Sequence, residues 1–106
     1  MSEHKIVVFV PATHAEPVRE AIARAGGGRM GRYSHCSFSV RGIGRFQPGA
    51  GAHPAIGRIG QLEEVDEERI EFMCDSRLVK EVIAAIVEVH PYEEPAIDLW
   101  PLERWK

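Results

Sequence analysis

Hydrophobic and polar positions divide the chain into six periodic segments. Ile6-Val7-Val8-Phe9-Val10 is apolar at every position, which predicts a strand from Lys5 to Val10 covered on both faces. Val18, Ala21, Ile22 and Ala25 recur at helical spacing after Thr13-His14-Ala15-Glu16, a capping-box pattern, and Gly26-Gly27-Gly28 stops that helix. Tyr33 to Val40 alternates, with Cys36, Phe38 and Val40 on the predicted core face and His35, Ser37 and Ser39 opposite. Gly42 to Pro48 reads as a short bent strand, Gly49 to Gly60 as a loop, and Leu62 to Val65 as a few further strand residues. Glu67 to Cys74 alternates again, Ile70, Phe72 and Cys74 inward, Arg69, Glu71 and Met73 outward. Asp75 or Ser76 caps the longest helix, whose stripe is Leu78, Val79, Val82, Ile83 and Ile86, and Pro91 ends it by His90. Ala96 to Trp100 is the last strand, Ile97 and Leu99 on one face, Asp98 and Trp100 on the other.

The order β-α-β-β-α-β predicts an α+β fold: a ferredoxin-like sandwich, an antiparallel sheet with two helices on one face and the first and third strands central. At 106 residues the chain is read as one domain, residues 1–106, with a core from about 5 to 102. Because the first strand is apolar on both sides and no segment remains to cover its second face, a homo-oligomer is expected.

Charge adds an asymmetry to this picture. Arg29, Arg32, Arg41, Arg45 and Arg58 occupy a window free of acid, so that window is +5 and the remainder −8. Separated charge of this kind suits a small anionic ligand or head-to-tail contacts between copies, whereas the acidic balance argues against nucleic acid. No apolar run approaches the ~18 residues of a membrane span and no signal-peptide pattern opens the chain, which together predict a cytoplasmic protein with no membrane partner. Two cysteines, Cys36 and Cys74, are too few for a disulfide scaffold and are read as small core residues.

Candidate chemistry gathers in His90-Pro91-Tyr92-Glu93-Glu94-Pro95, where two prolines hold two carboxylates, a phenol and an imidazole in one stiff segment. Read as extended, it sends Glu93 and Glu94 to opposite sides, so they form no acid/base pair within one chain, and no catalytic residue is assigned. Either the segment is a rigid joint or it binds a ligand with groups of a neighbouring subunit. His35-Cys36 is no thiol–imidazole dyad by the same parity. The five histidines lack ligand spacing, so a divalent metal ion remains only a weak candidate, at His35, His90 and Glu94 across an interface. Gly26-Gly27-Gly28 follows a helix rather than opening one, so it is no phosphate loop. The arginine and glycine window, with Arg41 and Arg45, is the other candidate for binding, since arginine offers a forked donor. The candidate ligand residues are therefore Arg41, Arg45, His35, His90, Tyr92, Glu93 and Glu94.

Several runs together carry a family resemblance: Lys5-Ile6-Val7-Val8-Phe9-Val10-Pro11, Tyr33-Ser34-His35-Cys36-Ser37-Phe38, Gly42-x-Gly44-x-Phe46-x-Pro48, Ile56-Gly57, Arg69-Ile70-Glu71, and His90 to Ala96 with Asp98. The chain resembles a stand-alone version of the inserted domain of the Nif3-like (YqfO-type) proteins, a domain similar to CutA and the PII signal proteins. Ile97 departs from the pattern, which has an aromatic residue there. The resemblance implies a trimer, and PII-like binding of small effectors near the loop between the middle strands. The dinuclear metal centre of complete family members lies on an outer domain, so their metal-dependent hydrolysis is not carried over. The expected function is a non-enzymatic, oligomeric module that binds a small anion or metal or acts in regulation or trimerisation. The alternatives are a structural partner for a separate Nif3-like metal-centre protein, and a metal-dependent hydrolase.

Overall fold

In a computed structural model that describes residues 2–105, the six segments form four strands and two helices. These are β1 (Glu3–Pro11), α1 (Ala15–Arg24), β2 (Phe38–Phe46), β3 (Glu63–Asp75), α2 (Val79–Val89) and β4 (Ile97–Leu102), with single 3-10 turns before each helix. The sheet order is β2-β3-β1-β4 with every neighbouring pair antiparallel, so β1 and β3 are central as the sequence predicts. Both helices lie on one face. Ile6, Val8 and Val10 of β1 and Ile70, Phe72 and Cys74 of β3 meet Val18 and Ile22 of α1 and Val82 and Ile86 of α2 in one core. Burial pushes the Cys74 thiol pKa up, as befits a residue that packs as a small hydrophobe.

The helix ends follow local chemistry, with two departures, both at N-termini. Thr13 does not cap α1: its hydroxyl bonds His14 Nδ1 at 2.9 Å, and α1 begins at Ala15 without a side-chain cap. Pro17 falls in the first turn, where its missing N–H costs no helical bond. Gly26 ends α1 with φ 102°, a conformation open to glycine. Neither Asp75 nor Ser76 caps α2, which begins at Val79 without a side-chain cap. Asp75 caps the 3-10 turn Ser76–Leu78 before it, accepting the Arg77 N–H at 2.9 Å, and Arg77 holds the Asp75 carboxyl down at about 2.

The second strand lies elsewhere than its alternation suggests. It runs from Phe38 to Phe46, taking in both Gly42 and Gly44, and residues 33–37 precede it as an irregular turn in which His35 has φ 62°. Register reverses the expected face. Ser39 pairs with buried Ile70 and faces the helices, where Arg19 of α1 reaches its hydroxyl at 3.1 Å. Phe38 pairs with Glu71, so Phe38 and Val40 lie on the opposite face, 64% and 49% exposed. Cys36 stays outside the strand and outside the core, half-buried in the turn.

Strand β3 is continuous from Glu63, so Leu62 to Val65 contributes to it and not to a separate piece. β1 pairs only as far as Glu67, and the ribbon of β2 with residues 63–66 projects past it, giving a body of 48 × 23 × 23 Å. On the face away from the helices, Val7 is buried within the chain itself, contrary to the expectation that a partner must cover it. The exposed apolar residues of that face are Phe38, Val40 and Trp100.

Candidate functional site

The segment His90–Ala96 is gripped by one residue of β1. The Phe9 N–H donates to Ala96 O at 3.2 Å, and the Phe9 carbonyl accepts from His90 Nε2 at 2.7 Å. The Tyr92 N–H donates to the other ring nitrogen, His90 Nδ1, at 3.1 Å. With one nitrogen donating and the other accepting, the His90 ring is neutral and protonated at Nε2. Burial pushes its pKa down, against the opposing pull of the Phe9 carbonyl and the Glu67 charge.

That turn bends the backbone at residues 92–94, so the segment is not extended. The consequence corrects the parity reading: Glu93 and Glu94 line the same cavity. Tyr92 lies 5.1 Å from the His90 ring and meets Phe46 edge-on at 5.6 Å. Its hydroxyl donates to Glu67 Oε2 at 2.8 Å. Burial, then the bond to Glu67, push the phenol well above its ordinary range. Glu67 itself is only 8% exposed, and its carboxylate lies against Gly44, where a built Cβ would collide with it. Gly44 is thus required for space, without any special φ.

Glu93 has a separate task. Both its oxygens accept the His53 N–H, at 2.9 and 3.3 Å. This pins the loop whose ends close where the Gly60 N–H donates to Pro48 O at 2.8 Å. Between loop, ribbon and signature segment is a cavity of about 420 Å³. Phe9, Phe46 and Tyr92 contribute rings, Pro48, Pro54 and Ile56 apolar wall, and Glu67, Glu93 and Glu94 carboxylates. Glu94 is exposed and has no hydrogen bond or ion pair among the described residues.

The structure does not bring the remaining candidates into one site. Arg45 borders the cavity but pairs with Glu64 at 3.2 Å, and Arg41 pairs with Glu68 at 3.6 Å beside a separate shallow hollow. These arginines meet the acidic stretch of their own hairpin, where the sequence suggested a neighbour's. His35 lies at the other end of the sheet, its Nδ1 bonded to Ser34 Oγ at 2.9 Å, near the backbone pairing of Cys36 with Gly28. His90, with both nitrogens engaged, has no free lone pair for a metal, and among the described residues no three His, Cys, Asp or Glu side chains are grouped to hold one.

Sequence reasoning missed Glu67, Phe9 and Phe46 as site residues. The spacing Gly42-x-Gly44-x-Phe46-x-Pro48 signals this part of the cavity, but nothing in the sequence separates Glu67 from the acids around it.

The chain matches no family model. It is 50% identical over 101 residues to a GTP cyclohydrolase 1 type 2 homolog of Halalkalibacterium halodurans, a match covering 95% of this chain and 27% of that protein. A homolog of the same name from Bacillus subtilis is 48% identical over 100 residues, covering 94% and 27%. The chain therefore spans about a quarter of the length of the curated relatives it matches. A Bacillus cereus protein related to NIF3 superposes with a TM-score of 0.84 at 50% identity, over 97% of this chain and 26% of that one. The periplasmic divalent cation tolerance protein CutA from Archaeoglobus fulgidus shares the fold, with a TM-score of 0.68 at 18% identity over 96% of this chain and 85% of that one. Among the described residues no helix is long and apolar enough to cross a membrane. Over nearly its whole length the chain is thus similar in sequence to one segment of the GTP cyclohydrolase 1 type 2 homologs and of the NIF3-related protein, and its fold is the one that CutA has.

Proposed function

We propose that this domain is a non-enzymatic, oligomeric, ligand-binding module whose site is the cavity beside His90–Ala96. One observation carries the reading. The signature segment spends His90, Tyr92 and Glu93 on fixing its own shape and the neighbouring loop, and leaves Glu94 and three rings lining an open cavity. A cavity of about 420 Å³ with a mostly apolar wall and a few oriented polar groups is of small-molecule size. The hydroxyl–carboxylate pair that lines it, Tyr92 with Glu67, has its phenol pushed up by burial and by that bond, the opposite of an activated nucleophile, which favours binding over turnover. Trimerisation through the sheet face bearing Phe38, Val40 and Trp100 is part of the same proposal, since these side chains are exposed on the face opposite the helices, Phe38 and Val40 at one edge and Trp100 at the other.

A thermal-shift panel of nucleotides, divalent cations, organic anions and amines tests the reading, run on the wild type, Glu94→Ala and Arg45→Ala. A compound that raises the melting temperature of the wild type but not of Glu94→Ala is the expected result. Stabilisation that is lost only in Arg45→Ala would move the site to the arginines, and no stabilisation by any compound would favour a purely structural module. Light scattering is expected to give three times the 11.8 kDa chain mass.

A further inference from the structure

We propose that the cavity binds an organic cation, an ammonium or guanidinium group on a short apolar body. The proposal rests on the reading of this cavity as the ligand site and specifies what that site selects.

Glu67 leads to it. The residue is 8% exposed and lines the cavity, yet its hydrogen-bond partner is the uncharged Tyr92 hydroxyl on Oε2. Among the described residues no Lys, Arg or His side chain forms an ion pair with it. Among the described residues no side-chain oxygen is both fully buried and unpaired, so the Glu67 oxygen that Tyr92 leaves open still reaches solvent, on a residue that lines the cavity, where a positive charge would compensate it. One hydroxyl fills one of about four acceptor sites on a carboxylate.

The surroundings repeat the same sign. Glu67, Glu93 and Glu94 face the cavity against a single guanidinium, Arg45, which is committed to Glu64. Glu94 stands at the exposed rim with no partner among the described residues. Phe9, Phe46 and Tyr92 line the cavity with aromatic rings, a type of side chain whose face attracts a cation electrostatically. Phe9 already carries one, the Arg69 guanidinium, 5.7 Å from its centroid, and Arg69 is itself bonded to Glu71. An anion entering here would meet three carboxylates. A calcium or magnesium ion would need six or more oxygens, both oxygens of Glu93 already accept the His53 N–H, and among the described residues no three ligating side chains are grouped to hold any metal. A cation with methylene groups or a ring satisfies Glu67 and Glu94 while its body covers Pro48, Pro54 and Ile56.

Titration calorimetry on the full chain tests this with 1,4-diaminobutane, agmatine and benzylamine, against benzoate and ATP as anionic probes. At least one amine is expected to bind, and Glu67→Gln or Glu94→Gln to weaken it about tenfold or more, the loss of one charge-assisted contact. Glu88→Gln, the same charge change on an exposed residue of α2, is expected to leave binding unaltered. Glutamine keeps an acceptor for Tyr92, and Glu94 is exposed, so neither variant should fail to fold. Amine binding indifferent to both changes overturns the proposal. Benzoate or ATP bound in preference, and lost in Tyr92→Phe, overturns the cation while keeping the cavity as a site. Wild type that binds no amine, while Glu67→Gln lowers the assembly mass, assigns the carboxylate to a basic side chain of a second copy and also overturns it. No binding by any probe overturns both this proposal and the reading beneath it.

Discussion

His90 donates from Nε2 to the carbonyl of Phe9 at 2.7 Å, and this bond joins the end of the second helix to a central strand. Because the other nitrogen accepts the Tyr92 N–H, protonating the ring would set two N–H groups against each other. The folded pKa is depressed by burial, so below about 6.5 the unfolded chain takes up a proton that the folded chain resists. Stability is expected to be full above that pH and to fall as the pH drops through it toward the folded pKa. Asp75 contributes in a different window: its pKa of about 2 gives stability present above the ordinary carboxyl range and lost only toward that value. Urea midpoints at pH 5.0, 6.0 and 7.5 check this. Wild type should lose stability toward pH 5, and His90→Gln should lose less over the same interval.

Removing the Tyr92 hydroxyl strands the carboxylate it serves. Tyr92→Phe should cost about 1–3 kcal/mol by chemical denaturation, the penalty of a buried acceptor left without its donor. In a Glu67→Gln background the same change should cost less, because a neutral amide is cheaper to leave unpaired than a carboxylate. Equal costs in both backgrounds would show that the bond contributes nothing specific.

Two glycines of one strand provide a matched pair. Gly44→Ala puts a methyl into the Glu67 carboxylate and should destabilise by about 1–3 kcal/mol, as overpacking does. Gly42→Ala meets no atom within 4 Å, and alanine is about 0.5–1 kcal/mol better than glycine in a strand interior. That variant should be neutral to slightly stabilising. Denaturation midpoints measured side by side separate steric demand at Gly44 from a general need for glycine.

The exposed apolar face predicts its own disruption. Phe38→Glu with Val40→Glu should leave far-UV circular dichroism unchanged and reduce the mass in solution to the 11.8 kDa of one chain. Unchanged mass in the double variant would take the interface away from this face.

Much of this fold is legible in the sequence because burial writes a period into it. The solid apolar run Ile6–Val10 and the alternation Ile70, Phe72, Cys74 identify the central strands, and both prove buried except for Phe9, which is half-buried at the cavity. Alternation in Phe38 and Val40 is equally clear but carries no sign: it does not say which side the helices cover. The register Ser39 with Ile70 decides that, and register belongs to the pairing of strands, not to one strand. The site is less legible for a related reason. His90, Tyr92 and Glu93 stand out in one short segment, but they act through Phe9, His53 and Glu67. Pro11 pairing with Glu67 brings that acid to the end of β1, next to the turn after α2. No local pattern encodes a partner 25 residues away, and the two adjacent glutamates converge only because the His90 and Tyr92 bonds bend the chain between them.

The most direct test of the cavity as the site is a chemical-shift map of ¹⁵N-labelled protein titrated with a compound that stabilises it. The largest changes are expected at the amides of Gly44, Phe46, Tyr92 and Glu94, with little change at Arg41 or His35. Changes clustered at Arg41 and Thr13, or at His35 and Cys36, would contradict the assignment and move the site to another part of the sheet.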